Sequence, residues 1–220
     1  MLPFYSGKEK AIRIFLFVIS FITIVAQFWL TVTAAGTEPM LTRIVRFFSF
    51  MTILTNILVA LAYVLPLAAP SSKAGRFFAK PNTQSAILVY IIVVCLGYHF
   101  LLANVWKPEG LQYWVDKSLH YLVPFLYLLF YLVFVVKGTL AFNNVYRWLI
   151  YPTVYLVYAM TRGAITGDYP YPFLNLHTHE ASKVYAVIAV LFAVYISLSL
   201  IVVAFDRLMG KRSALAQTAR

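Results

Sequence analysis

Two polar residues, Thr52 and His120, interrupt stretches of sequence that are otherwise apolar enough to cross a lipid bilayer. Thr52 lies in the segment 47–56, which reads FFSFMTILTN, and His120 lies in the segment 119–125, which reads LHYLVPF. A hydroxyl beside an imidazole can act as a nucleophile and its general base in acyl transfer. From spacing alone the commoner role is structural, because such residues also complete hydrogen-bond networks between packed membrane helices.

The composition places the chain among integral membrane proteins. Hydrophobic residues make up 62% of its 220 residues and charged residues only 11%, well below the roughly one quarter that soluble proteins carry. The net charge of +11 could suggest nucleic acid, but the basic residues lie between apolar runs, as they do in membrane proteins. The only cysteine, Cys95, excludes an internal disulfide and multi-cysteine metal signatures. We expect membrane lipids as partners, with no nucleic acid, metal or cofactor.

Six apolar runs, at 11–33, 44–66, 84–105, 118–136, 146–165 and 182–205, predict six transmembrane helices. The fold class is therefore an all-α polytopic bundle, since lipid cannot satisfy an open sheet edge. We expect a single domain over residues 1–209 and a short disordered cytoplasmic tail over 210–220. Most basic residues fall on the side that holds both termini, which predicts cytoplasmic termini and a multi-pass protein. The first run is too long for a signal-peptide core.

Polar residues repeat at helical spacing on four of the predicted helices. On the second helix Ser49, Thr52 and Asn56 should share one face, and on the fourth one stripe should hold His120, Pro124, Tyr127 and Tyr131. Because polar groups facing lipid are costly, we expect these faces to line a common interior. Candidates for stabilising an oxyanion or binding a substrate carboxylate are Ser49, Asn56 and Arg162. Candidates for lining a cavity are Gln27, Tyr127, Tyr131, Tyr155 and Tyr158.

The segment 168–176, DYPYPFLNL, has prolines at two alternate positions and cannot form a regular helix, so we expect a lid or plug. Two other functions stay open. A transporter or channel could use His120 and Arg162 as titrating and fixed charges, although no internal repeat and no carboxylate within a predicted span supports it. His99 with His120 could hold a haem. His177 and His179 lack the spacing of a zinc site.

Three short segments resemble the androgen-induced-protein family of six-span membrane proteins, which includes threonine hydrolases of fatty acid esters of hydroxy fatty acids. The segments are FMT at 50–52, LHYLVPF at 119–125 and YPFL at 171–174. The resemblance implies an intramembrane carboxylic ester hydrolase with Thr52 as nucleophile and His120 as general base. Its substrate would be a long-chain lipid ester, either a fatty acid ester of a hydroxy fatty acid or a related compound. We expect a bacterial member in the inner (cytoplasmic) membrane.

Overall fold

The computed structural model describes residues 5–218, with side chains as far as Lys211. Within this range the chain forms helices and no strand, which confirms the all-α class. The helices are α1 (Gly7–Val32), α2 (Met40–Ser49), α3 (Met51–Ala68), α4 (Lys73–Ala79), α5 (Pro81–Gly97), α6 (Gly110–Lys117), α7 (Val123–Phe134), α8 (Asn144–Trp148), α9 (Ile150–Thr166) and α10 (Ala181–Thr218). One π-helical turn, Tyr98–Leu102, extends α5, another, Ser118–Leu122, joins α6 to α7, and a 3-10 turn covers Pro172–Leu174.

Five helical stretches are long and apolar enough to cross a membrane by length and composition. They are Gly7–Val32, Met51–Ala68, Pro81–Leu102, Gly110–Phe134 and Ala181–Lys211. The fifth predicted run corresponds to α9, which has 17 residues and is shorter than each of these stretches. The described residues therefore form an α-helical bundle of the kind found in membranes.

The centre of this bundle is formed by α3 and α5, whose side chains are the most completely enclosed. Val59 and Ala62 of α3, and Val89 and Ile91 of α5, are fully buried. The peripheral helices instead expose large apolar side chains, such as Phe15 on α1. A solvent-facing helix would carry polar residues there, so this distribution suits contact with lipid tails.

The second predicted run, 44–66, is broken at Phe50 into α2 and α3, so the prediction of one continuous helix is wrong there. Phe50 is extended, with φ −83° and ψ 126°. The break leaves backbone groups without helical partners, and distant tyrosines bind two of them. Tyr155 donates to the carbonyl of Ser49 at 3.0 Å, and the backbone N–H of Thr52 donates to the hydroxyl of Tyr171 at 3.2 Å. Irregular backbone at membrane depth is tolerated where protein groups supply such bonds.

The last helix, α10, continues to Thr218, past the boundary at 209 where the sequence predicts a disordered tail. The tail is therefore helical as far as the structure describes it. Residues 219–220 of the predicted tail lie outside the described range.

The turn that carries His120 is π-helical because of the proline four residues later. Pro124 has no N–H and cannot donate to the carbonyl of His120 as an α-helix requires. The chain instead widens, and the N–H of Val123 donates to the carbonyl of Ser118, five residues before it. Such π turns within α-helices occur often at functional sites.

Candidate functional site

The structure brings Thr52 and His120 together, although 68 residues separate them in sequence. Thr52 lies in the first turn of α3, and its Oγ1 is 3.2 Å from Nε2 of His120. Both residues are buried, with 7% of their surface exposed. This is the reach that a general base needs in order to remove the hydroxyl proton.

Asp116, one helical turn before His120, completes a chain of polar groups. Nδ1 of His120 lies 2.9 Å from the backbone carbonyl of Asp116 and 3.4 Å from its carboxylate Oδ1. An Nδ1–H that donates to these acceptors leaves the lone pair of Nε2 directed at Thr52, as a base requires. Tyr98 stacks on the imidazole, with ring centroids 4.0 Å apart, and further fixes its orientation.

The expectation that no carboxylate lies within a span was wrong. The fourth run was predicted to begin at 118, which excluded Asp116, whereas the helical stretch begins at Gly110. Asp116 is buried, with 5% of its surface exposed. The i, i+4 spacing of Asp116 and His120 was the signal in the sequence that could have revealed the pair.

Tyr171 supplies a second hydroxyl at the same position. Its Oη lies 3.2 Å from both Oγ1 and the backbone nitrogen of Thr52. The segment around it contains only the 3-10 turn Pro172–Leu174, which confirms that it is no regular helix. Burial raises the pKa of Tyr171, so its phenol remains protonated and able to donate a hydrogen bond.

Asn56 holds the two site-bearing helices in register. Its Nδ2 donates to the carbonyl of Thr52 at 2.8 Å and to the carbonyl of Leu119 at 3.3 Å. Asn56 therefore bridges the backbone at the hydroxyl to the backbone at the imidazole. It binds neither reactive side chain, so it acts as a positioning residue.

Ser49 does not join this group, because the break at Phe50 turns it away from the face that Thr52 and Asn56 share. Its Oγ donates to the carbonyl of Val45 at 2.7 Å and lies 2.6 Å from the hydroxyl of Tyr158. The expected common face of Ser49, Thr52 and Asn56 thus holds only for the last two.

Two cavities meet at Thr52 and His120. The larger, here called the outer cavity, has a volume of about 560 Å³ and extends to Gln27, Gln112 and the loop residue His179. The smaller, here called the inner cavity, has about 80 Å³ and lies among apolar side chains of α5 and α10 such as Val93 and Leu191. Thr52, His120, Tyr98 and Tyr171 line both cavities. The combined space suits an elongated molecule whose reacting bond lies at the junction.

Two of the five predicted lining residues contact these cavities. Gln27 lines the outer cavity and Tyr155 lines the inner cavity. Tyr158 instead lines a separate groove along α9, together with Arg162. The tyrosines Tyr155 and Tyr158 of α9 both bind Ser49, beside the break at Phe50, and only Tyr155 lines one of the two cavities.

Tyr127 and Tyr131 lie deeper in the bundle and line neither cavity, contrary to expectation. The hydroxyl of Tyr127 donates to the carbonyl of Gln84 at 3.2 Å, and that of Tyr131 lies 3.1 Å from Oγ of Ser85. Both hydroxyls thus bind α5. Their polar stripe joins two helices, which is the structural role that such residues commonly have.

Arg162 is likewise not directed at Thr52, because Asp168 binds it. Its Nη2 lies 2.7 Å from Oδ2 of Asp168, and Arg162 also donates to the Asp168 carbonyl. Arg46 contacts the same carboxylate oxygen at 3.3 Å and Glu38 at 2.7 Å. This network ties α2 and α9 to the loop that carries Tyr171. Burial raises the pKa of Asp168, but Arg162 and Arg46 lower it by more, so the net pKa lies below its usual value.

We expect Asp168→Asn to lower the thermal unfolding midpoint in detergent at pH 7 by about 1–3 °C, a small effect because solvent screens the partly exposed pairs. A depressed folded-state pKa stabilises the protein above the ordinary aspartate pKa of about 3.9, and this contribution is lost as the pH falls through the lower folded-state value. The two midpoints should therefore converge in that acid range. A gap that persists there would contradict the ion-pair assignment.

A matched control for this measurement is Glu180→Gln. Glu180 pairs with Lys183 at 3.3 Å, but both side chains are about 70% exposed. The control should leave the midpoint nearly unchanged at every pH.

Comparison of the sequence and the structure with protein-family models, curated proteins and solved structures gives no match. The resemblance carried by the three short segments therefore stays a prediction. The geometry of Thr52, His120 and Asp116 is what supports a function.

Proposed function

We propose that the protein is an intramembrane hydrolase of long-chain lipid esters, with Thr52 as its nucleophile. One observation carries this proposal: the 3.2 Å contact between Oγ1 of Thr52 and Nε2 of His120, placed where two cavities meet. A purely structural threonine commonly binds its own helix backbone. Here the hydroxyl faces an imidazole and open space, as a nucleophile must.

In the proposed reaction, His120 takes the hydroxyl proton of Thr52 as Oγ1 attacks the ester carbonyl carbon. The tetrahedral intermediate collapses, its bond to the alcohol oxygen breaks, and His120 returns the proton to the leaving alcohol. Water then attacks the acyl-threonine ester in the same way. That second step releases the fatty acid and restores the hydroxyl of Thr52.

The carbonyl oxygen becomes an oxyanion in both steps, and two kinds of donor lie near Thr52. Tyr171 lies close enough to Oγ1 to direct its hydroxyl proton at the carbonyl oxygen of the ester that Oγ1 attacks. The first turn of α3 has backbone N–H groups with no helical acceptor, of which that of Thr52 donates to the hydroxyl of Tyr171, and the helix dipole favours negative charge there. We assign oxyanion stabilisation to these groups, in place of Ser49 and Arg162.

The placement in the membrane forms part of the same proposal. Counting α9 as a sixth crossing gives an even number of spans and puts both termini on the cytoplasmic side, as the basic residues favour. Thr52 and His120 then lie toward the extracytoplasmic leaflet of a bacterial inner membrane. A lipid ester could enter the site from that leaflet without leaving the bilayer.

The class of substrate follows from the resemblance and from the cavities. Fatty acid esters of hydroxy fatty acids, or related lipid esters, have two apolar arms joined at an ester. The outer cavity could receive one arm, and the inner cavity, at about 80 Å³, only the part of the other arm next to the ester.

A fluorophosphonate probe with a long alkyl chain tests the proposal directly. It should form a covalent adduct on Thr52 of the purified protein, located by peptide mass spectrometry, because the hydroxyl displaces fluoride from phosphorus when His120 removes its proton. Thr55→Ala is the matched control and should keep the adduct. Thr55 lies on the same helix and is buried, but its hydroxyl binds Tyr151 at 3.0 Å. An adduct on any other residue, or none, would contradict Thr52 as nucleophile.

A further inference from the structure

The outer cavity contains a cluster of neutral hydrogen-bonding side chains away from Thr52. Nε2 of Gln112 donates to Oε1 of Gln27 at 2.8 Å, and Nε2 of Gln27 lies 3.3 Å from Oγ1 of Thr31. All three residues line this cavity. A primary amide has two N–H donors and one carbonyl acceptor, and within the described residues Gln112 uses only one of these donors. The cluster can therefore still bind a polar group of a ligand.

The charge around this cavity is negative or absent. The carboxylate of Asp116 lines it, and among the described lining residues there is no lysine or arginine. A ligand carboxylate would lose its hydration there without gaining a cation and would be repelled by Asp116.

Three arginines on the same side of the bundle are already bound to other groups. Lys117, which does not line the cavity, donates to the hydroxyl of Tyr98 at 3.2 Å, and its ammonium lies over the rings of Tyr98, Tyr113 and Tyr121. Arg43 donates to the carbonyls of Val32 at 3.0 Å and Gly36 at 2.7 Å. Arg46 and Arg162 are held in the network around Asp168 described above. Recruiting any of them for a ligand would break existing bonds.

We infer that the substrate is an uncharged lipid ester whose alcohol half carries hydroxyl or amide groups and occupies the outer cavity. The carbons of its acyl chain next to the ester occupy the inner cavity, among the apolar side chains of α5 and α10. At about 80 Å³ this cavity holds only a short part of the chain. This inference rests on the proposed function and narrows its substrate class. Neutral hydroxylated esters are favoured over esters that carry a free carboxylate.

The test compares two ligands of the same skeleton, one with a neutral primary amide and one with a carboxylate, which lacks the N–H donors of the amide as well as its neutrality. The hexadecyl ether of a hydroxystearamide and that of the corresponding hydroxystearate have the same skeleton, and neither can be hydrolysed. Binding of both to the wild-type protein is measured by isothermal titration in detergent micelles at pH 8. The amide should bind at least about tenfold more tightly. Equal binding, tighter binding of the carboxylate, or no binding of either ether would overturn the inference.

Two variants test whether the preference for the amide ether arises beside Gln112. Gln112→Lys places a cation in the outer cavity and should shift the preference toward the carboxylate by about tenfold or more. Ser182→Lys adds the same charge at an exposed position that lines neither cavity and should leave the preference unchanged. If Gln112→Lys left the preference unaltered while still binding the amide ether, the polar group would not lie beside Gln112, and the inference would be wrong.

Hydrolysis of the matching esters by the wild-type protein tests the proposed hydrolase activity independently of the binding preference. If the amide ether binds more tightly but neither ester is cleaved, the proposed hydrolase activity fails while the binding preference stands. If both esters are cleaved at equal efficiency and the two ethers bind equally, the activity stands and the neutral-substrate inference fails.

Discussion

Replacement of Thr52 by valine should lower the rate of long-chain ester hydrolysis by about 10³-fold or more, because it removes the hydroxyl that contacts Nε2 of His120. Valine keeps the β-branched shape of threonine, so packing in the first turn of α3 is preserved. The variant removes the group that accepts the acyl chain and leaves the cavities almost unchanged. Release of fatty acid from the ester by purified protein measures the effect.

Two companion variants separate chemistry from structure. Thr52→Ser retains the hydroxyl and should keep measurable turnover, whereas His120→Ala should lose activity to a similar extent as Thr52→Val, since the two residues act as a unit. The thermal unfolding midpoint of each variant reports whether the bundle remains intact. Full turnover in a folded Thr52→Val protein would show that the hydroxyl only completes a polar network.

The apolar runs predict the helices well because hydrophobicity is a local property of the sequence. The break at Phe50 is different, since the bonds that stabilise it come from far away. Tyr155 and Tyr171 lie more than 100 residues from the backbone groups that they bind. No pattern within the run 44–66 indicates those partners. Helical spacing therefore predicted, wrongly, that Ser49 shares a face with Thr52 and Asn56.

The same limit applies to the polar residues that were expected to line one interior. Spacing predicts which face of a helix a residue occupies, but not which partner it finds there. Arg162 was expected near the substrate, yet Asp168, six residues along the chain, binds it. Tyr127 lies on the predicted stripe with His120, but it is deep enough to contact α5 instead.

Asp116 is the opposite case, because its spacing to His120 is a local feature of the sequence. It was missed because the fourth run was predicted to begin at 118. Its i, i+4 relation to His120 needs only a helix that begins before 118. Hydropathy placed the start of the span too late because Gln112, Asp116 and Lys117 are polar. A helix that continues beyond its apolar run therefore carries the third member of the site.

Removing the carboxylate of Asp116 should lower kcat by about 10- to 10²-fold, less than the loss of Thr52, because the backbone carbonyl of Asp116 still accepts a bond from Nδ1 of His120. Asp116→Ala leaves that carbonyl as the sole acceptor and should preserve the reactive tautomer. Asp116→Asn should be the more damaging change, since its amide can donate to Nδ1 and favour the tautomer with a proton on Nε2. An unchanged kcat in folded variants would reduce Asp116 to a packing residue of α6.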